Sequence, residues 1–253
     1  MLSLVPGSKL KVNKPVLQDI KLNPNASINL LKIGNEKQPL FVVDDFLLNP
    51  ELLVEYAQQG EGFINQKTDF YPGERKPLPA DYANLICQFV ANTLPESLLL
   101  PTSIRVTNSL CALSITNQHP STLLPIQRIP HFDTCDSQQW AVLHYLCNSD
   151  CGGTGFFRHI GSGFEAITED RNKRYQRLLE DDASTKGLPP IQYLDGDSAL
   201  FKQIHAVDAK YNRALLYPSN LLHSGLIKNW ASMSTEGIED TRLTANTFVG
   251  IGG

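Results

Sequence analysis

The stretch PHFDTCDSQQWAVLHYLCNSDCGGTGFFRH (residues 130–159) decides the fold, because it sets short apolar runs between turn-forming residues. WAVLHYLC (140–147) and GFFR (155–158) read as strands, and the Asn, Ser, Asp and Gly residues between them supply the turn chemistry. The same texture continues on both sides, predicting strands over 103–116, 123–128, 213–217, 221–227 and 241–251. Many short strands with turn signals between them predict a sandwich or barrel. Upstream, residues 28–33 and PLFVVDDFL (39–47) also read as strands. Asn49-Pro50 then reads as the cap and first position of a helix over 50–59 that Gly60 stops. A second helix is expected over 81–93, with Leu85, Ile86, Phe89 and Val90 on one face. TEDRNKRYQRLLEDD (168–182) predicts a surface helix capped by Thr168, its charges forming a solvated face, and a further helical turn or two is expected from Asp197. The architecture expected is mainly β with flanking helices (α+β). The helices pack outside a double-stranded β-helix of the jelly-roll, cupin-like type. Residues 1–38 form a lead-in packed on a single domain of 39–253.

Composition narrows the function classes. A chain of 253 residues with 42% hydrophobic and 19% charged residues can bury a substantial core. No run of about 18 apolar residues is present to span a membrane, and the N-terminus lacks the charged-then-apolar pattern of a secretion signal. A cytoplasmic protein is expected. The net charge of −4 excludes a general electrostatic grip on nucleic acid or anionic lipid. The five cysteines, Cys87, Cys111, Cys135, Cys147 and Cys151, are expected to be free thiols, since the count is odd. Cys147 and Cys151 have no second pair to complete a zinc site, so they read as small buried apolar side chains.

The chemistry gathers at a few positions. His131-Phe132-Asp133 is an HxD triplet, a weak signal alone in a chain with six histidines. Its interest is the spacing, because residues two apart on a strand project to one face and can approach one cation. Two imidazoles and one carboxylate on one face suit Fe(II) and leave positions open, so a third ligand must come from elsewhere. His223, between apolar residues and Gly225, fits; a hydrogen-bonded core histidine is the alternative. Arg242 lies in the uncharged run TRLTANTF (241–248), where a guanidinium needs a partner and a carboxylate is a natural one. The Tyr145 hydroxyl offers a second donor to the same group. A surface salt bridge for Arg242 and ordinary core packing for Tyr145 are the competing readings.

His131-x-Asp133, Tyr145-Leu146, Gly152-Gly153, His223 and Arg242, in that order, resemble the prolyl-hydroxylase-like 2-oxoglutarate/Fe(II)-dependent dioxygenases. VVDDFL and its following helix are similar to the usual opening of that fold, and the resemblance covers roughly residues 39–251. YPGERKPLP (71–79), PHFD (130–133), LHYLC (143–147) and GGTGFFRH (152–159) are similar to a bacterial branch of the superfamily. The resemblance implies a catalytic metal triad of His131, Asp133 and His223. It implies that Arg242 binds the distal carboxylate of 2-oxoglutarate with help from Tyr145, and that dioxygen oxidises a substrate C–H bond. Related iron halogenases lack the carboxylate ligand, so Asp133 points to hydroxylation. The implied substrate is a small molecule or an amino-acid or peptidyl group, with no membrane or nucleic-acid partner. One departure is the 19-residue step from His223 to Arg242, longer than usual, which makes 228–240 read as a loop inserted between the last two strands. Segments 70–75, 134–139 and 228–240 are candidates for substrate contact. Arg75, Arg158 and His159 are polar groups that could reach a ligand, against ordinary surface roles. A metalloenzyme that does not use 2-oxoglutarate and a non-catalytic binding or sensing module are the alternatives.

Overall fold

Strands that are apolar on both faces need cover on both faces, and the central strands of this chain are of that kind. The computed structural model describes residues 17–59, 62–65, 70–98, 104–227, 230 and 241–252. Residues 1–16, the Gly60 stop and, apart from Trp230, the 228–240 insertion lie outside the described residues. The elements are β1 (Ser27–Ile33), β2 (Gln38–Asp44), α1 (Glu51–Gln58), β3 (Gly73–Pro77), α2 (Ala80–Leu98), β4 (Arg105–Thr116), β5 (Gln139–Tyr145), β6 (Gly153–His159), α3 (Glu169–Lys186), β7 (Phe201–Asp208), β8 (Ala214–Pro218), β9 (His223–Leu226) and β10 (Arg242–Gly252). A seven-stranded sheet runs β1-β2-β8-β5-β10-β4-β3, and a three-stranded sheet runs β7-β6-β9. Every pairing is antiparallel, so the protein is β-rich with few helices.

Strand alternation sorts the core into layers. Phe41, Val43, Trp140, Val142, Leu216 and Leu243 face one way and pack with Phe46, Leu53 of α1, and Tyr82, Ile86, Phe89 and Val90 of α2. Their neighbours Leu40, Ala141, Leu143, Leu215 and Tyr217 face the other way and meet Phe156 and Val207 of the smaller sheet. Phe157, one residue on from Phe156, turns outward to Tyr175 of α3, Phe201 and Leu226. No helix among the described residues is long and apolar enough to cross a membrane, and the five cysteines are free.

Local chemistry overrides the sequence pattern at several places. The run 123–128, expected as a strand, instead forms a 3-10 turn over Pro125–Arg128. Pro125 has no N–H for a ladder, and the Gln127 side chain takes the Leu124 N–H at 2.7 Å. The helix expected from Asp197 is a turn leading into β7. Asp197 accepts from Gln203 N, and Ser198 accepts from Leu200 N and Phe201 N; such side chains compete with helical hydrogen bonds. Asn49 does not cap α1, because its side chain bonds Lys21 N and Asp19 O. The hydroxyl of Thr168 likewise makes no cap bond to α3.

A buried polar knot holds the sheet to α2. The Asn212 side chain accepts from Leu47 N (3.0 Å) and donates to Leu47 O (2.9 Å), which fixes its amide orientation. Its Oδ1 therefore accepts from His144 Nε2 at 3.1 Å, leaving His144 Nδ1 to accept from the Tyr82 hydroxyl at 3.2 Å. Burial pushes the His144 imidazole down to about 4, against the opposing pull of the Asn212 hydrogen bond. A base held below its unfolded value binds fewer protons when folded, so its stability contribution is complete above pH ~6.5 and is lost as pH falls towards 4. The loss should be on the order of 3 kcal/mol. Urea midpoints for the wild type and His144→Gln at pH 7, 6, 5 and 4 check this. The wild type should lose more stability over that range, and parallel pH profiles would refute the assignment.

Candidate metal centre and cavity

His131 and Asp133 are brought together by one rung of backbone pairing rather than by a strand. His131 N donates to His223 O (2.9 Å), and His223 N donates back to His131 O (2.8 Å). Asp133 N donates to Ser219 O at 2.8 Å. The isolated bridge His131↔His223 thus sets two imidazoles side by side, their ring centroids 4.4 Å apart. Asp133 Oδ1 lies 4.0 Å from His131 Nε2, and Asp133 Oδ2 lies 3.8 Å from His223 Nε2. One donor atom from each of the three residues falls within 4.8 Å of the other two.

The donor atoms of this cluster suit a cation. Nδ1 of His223 lies 2.8 Å from Leu221 O, and a carbonyl oxygen can only accept, so Nδ1 carries the proton. With Nδ1 engaged in this way, Nε2 is the ring nitrogen that faces a carboxylate oxygen of Asp133. A carbonyl behind a histidine in this way orients the ring for metal binding. Half of the His131 side chain is accessible, but it opens onto a walled cavity. Burial, then His223 and Arg75, hold its imidazole well below the ordinary value. Burial raises the Asp133 carboxyl, opposed by His223 and Arg75. Three such donor atoms within reach of one point could hold a divalent ion, and this mix of two imidazoles and one carboxylate fits iron.

The triad lines a cavity of about 570 Å³, within the ~300–1,000 Å³ typical of small-ligand sites. Arg242, Thr244, Asn246 and Phe248 of β10 alternate into it. Arg242 is 4% exposed. It donates to Gly153 O at 3.1 Å and Thr154 Oγ1 at 3.4 Å, while its Nε has no hydrogen-bond partner. Among the described residues no carboxylate forms an ion pair with it. A guanidinium buried this deeply without an anion is costly, so its place in the cavity wall fits an anionic ligand.

Tyr145 stands behind the wall, not in it. Its hydroxyl is 2.6 Å from Thr154 Oγ1, and Arg242 Cζ lies 5.5 Å from its ring centroid. Thr154 and Tyr71 line the cavity where Tyr145 was expected. Gly225 leaves room beside the guanidinium, since an added Cβ would stand 3.6 Å from Arg242 Cζ, an ordinary contact. Of the candidate contact segments, 70–75 contributes Phe70, Tyr71, Pro72 and Arg75, whereas 134–139 contributes no lining residue. Arg158 is spent on the buried Glu165 carboxylate, and buried His159 faces Asp182 at 3.3 Å. Neither lines the cavity. The charged helix α3, read as a solvated face, turns Tyr175, Gln176 and Leu179 inward to form one wall. Their i, i+1, i+4 spacing was the available signal.

Among solved structures, HygX from Streptomyces hygroscopicus with nickel and 2-oxoglutarate bound is 12% identical, with a TM-score of 0.40 over 84% of this chain and 83% of that one. EvdMO1 is 10% identical, with a TM-score of 0.41 over 88% of this chain and 55% of that one. The Fe(II)/(alpha)ketoglutarate-dependent dioxygenase TqaL is 10% identical, with a TM-score of 0.30 over 79% of this chain and 76% of that one. A comparison with curated proteins finds no match. The family model that does match spans residues 24–249, and the chain belongs to that family of unknown function, DUF6445.

Proposed function

We propose that the protein is a 2-oxoglutarate- and Fe(II)-dependent oxygenase of the hydroxylase type, built on a double-stranded β-helix (jelly roll). His131, Asp133 and His223 would hold the metal, and Arg242 would bind the distal carboxylate of 2-oxoglutarate. Tyr145 would act on that carboxylate through Thr154 and by stacking under the guanidinium. The observation that carries the reading is a convergent His, Asp and His donor set in one cavity with a buried guanidinium that has no carboxylate partner among the described residues. Two antiparallel sheets meeting face to face, with the donors at one end of the smaller one, support the jelly roll.

Iron and 2-oxoglutarate, when bound, supply dioxygen activation coupled to oxidative decarboxylation of the cosubstrate. The chain's own part is orientation and exclusion of water. The Leu221 carbonyl keeps His223 in the tautomer that offers Nε2. The buried Arg242 fork fixes one end of a dicarboxylate, and the apolar walls keep the substrate C–H bond in a dry site. The substrate is a small molecule or an amino-acid or peptidyl group.

An anaerobic titration with Fe(II) and then 2-oxoglutarate tests this. A weak visible charge-transfer band that saturates with the cosubstrate is expected. A folded, iron-loaded protein without that band would remove 2-oxoglutarate from the assignment.

A further inference from the structure

A buried phenol hydroxyl usually finds a hydrogen-bond partner, and several tyrosines here obey that rule. Tyr71 and Tyr193, both in the cavity wall, reach Thr116 Oγ1 at 2.9 Å and Gln118 O at 2.6 Å. The hydroxyls of Tyr82 and Tyr145 are taken by His144 and Thr154. Tyr217 breaks the rule. It is 2% exposed and lines the cavity, yet its hydroxyl makes no hydrogen bond among the described residues. Tyr175 shares that lack, but it stands on α3 against Phe132 and His159, whereas Tyr217 packs on His223 itself.

Strand β8 fixes where this phenol points. Across the sheet Tyr217 faces Ala141, which also lines the cavity and whose side chain ends at Cβ. The ring stands edge-on to Phe156 at 5.2 Å and to His223 at 5.0 Å between centroids, so packing holds it beside one member of the triad. Burial keeps the phenol well above its ordinary value; the Asp133 charge adds to that rise and the Arg242 charge opposes it. The hydroxyl is therefore protonated and lies within the fields of both the triad carboxylate and the deep guanidinium. A dicarboxylate with one end at the triad and the other on Arg242 passes alongside it, and the contact with His223 sets the hydroxyl towards the triad end.

We propose that Tyr217 is a cosubstrate-binding residue, its buried hydroxyl beside His223 donating a hydrogen bond to the keto-acid end of 2-oxoglutarate. This rests on the oxygenase reading above and adds to it. The oxygens at that end only accept, so the phenol must be the donor. Arg242 then anchors the distal carboxylate and Tyr217 the end held at the triad.

The test is an anaerobic titration of Fe(II)-loaded wild type, Tyr217→Phe and Arg242→Met with 2-oxoglutarate, read for the midpoint and for the position of the chelate band. Tyr217→Phe keeps the ring against His223 and Phe156 and removes only the hydroxyl. Without cosubstrate it should melt no lower than the wild type, and Mn(II) should stabilise it as fully. Its 2-oxoglutarate midpoint should rise about tenfold or more, the worth of a hydrogen bond to a charged group. Its band maximum should also move, because the lost donor acted on the chelating end. Arg242→Met should raise the midpoint and leave the band maximum in place. A raised midpoint with an unmoved band in Tyr217→Phe would give the hydroxyl to the distal carboxylate and overturn the proposal. So would an unchanged midpoint. A variant that melts well below the wild type, or that loses the Mn(II) stabilisation, would make the hydroxyl a structural support and overturn it as well. A wild type without the band would remove the oxygenase reading itself, whereas a normal wild-type band that Tyr217→Phe leaves untouched removes only this role of Tyr217.

Discussion

Asp133→Ala should abolish the thermal stabilisation that divalent metal gives the wild type. An ion that binds only the folded state at about 100 times its Kd adds ~2.7 kcal/mol, which corresponds to roughly 5–11 °C in a chain of this size. In the variant two imidazoles remain, 4.4 Å apart by ring centroid, with no carboxylate beside them to offset the charge of the metal. Metal affinity should therefore fall by more than the ~10–100-fold that loss of an outer partner costs, and oxidation of substrate should fall to background with it. Without metal the sign reverses. Burial already raises the Asp133 carboxyl, so removing that group relieves a desolvation cost, and the metal-free variant should melt no lower than the metal-free wild type. Differential scanning calorimetry with and without Mn(II) checks both statements. An undiminished Mn(II) shift in Asp133→Ala would take Asp133 out of the metal set.

The parts of this molecule that were legible in its sequence are those where one local signal met no rival. The runs that became β5 and β8 are apolar on successive residues, and the structure covers both of their faces. The i, i+4 pattern of α2 was visible for the same reason, with Ile86 and Val90 both buried. Where side chains compete for backbone groups, hydrophobic pattern misled, as at Asp197 and Ser198 before β7 and at Gln127 beside Pro125. β3 (GERKP) offers no apolar alternation, yet it pairs with β4 in register from Gly73 to Pro77.

The site divides in the same way. His131, Asp133 and His223 could be listed from spacing and order, and the structure does bring them together. The device that joins them, a single bridge between His131 and His223, is tertiary and leaves no periodic trace. Tyr145 was legible as a hydroxyl on a strand soon after Asp133, and it shares the strand face of Ala141 and Leu143, which line the cavity. Its hydroxyl meets Thr154 instead. The α3 wall was hidden because three uncharged residues in a helix of acids and bases look like noise until the sheet behind them is known.

Arg242→Met should move stability and cosubstrate binding in opposite directions, a result that a purely structural arginine would not give. In the wild type without cosubstrate the guanidinium is 4% exposed, bonded to Gly153 O and Thr154 Oγ1, and has no carboxylate partner among the described residues. Replacing buried charges with apolar groups of similar size often stabilises by about 1–4 kcal/mol, against which the loss of two neutral acceptors costs about one hydrogen bond's worth each. The cosubstrate-free variant should therefore melt at or above the wild type. Binding should suffer heavily, because truncating one member of a buried, hydrogen-bonded charge pair costs about 2–5 kcal/mol, or roughly thirty-fold to several thousand-fold. The midpoint of the iron chelate band should rise by that factor, and saturating 2-oxoglutarate should no longer raise the melting temperature. Succinate, which retains a carboxylate at each end but has no keto group to chelate the metal, should protect the wild type weakly and the variant not at all. If Arg242→Met melts well below the wild type and keeps its 2-oxoglutarate midpoint, the guanidinium is holding β10 to Gly153 rather than waiting for an anion. The cosubstrate site must then be sought elsewhere in the cavity.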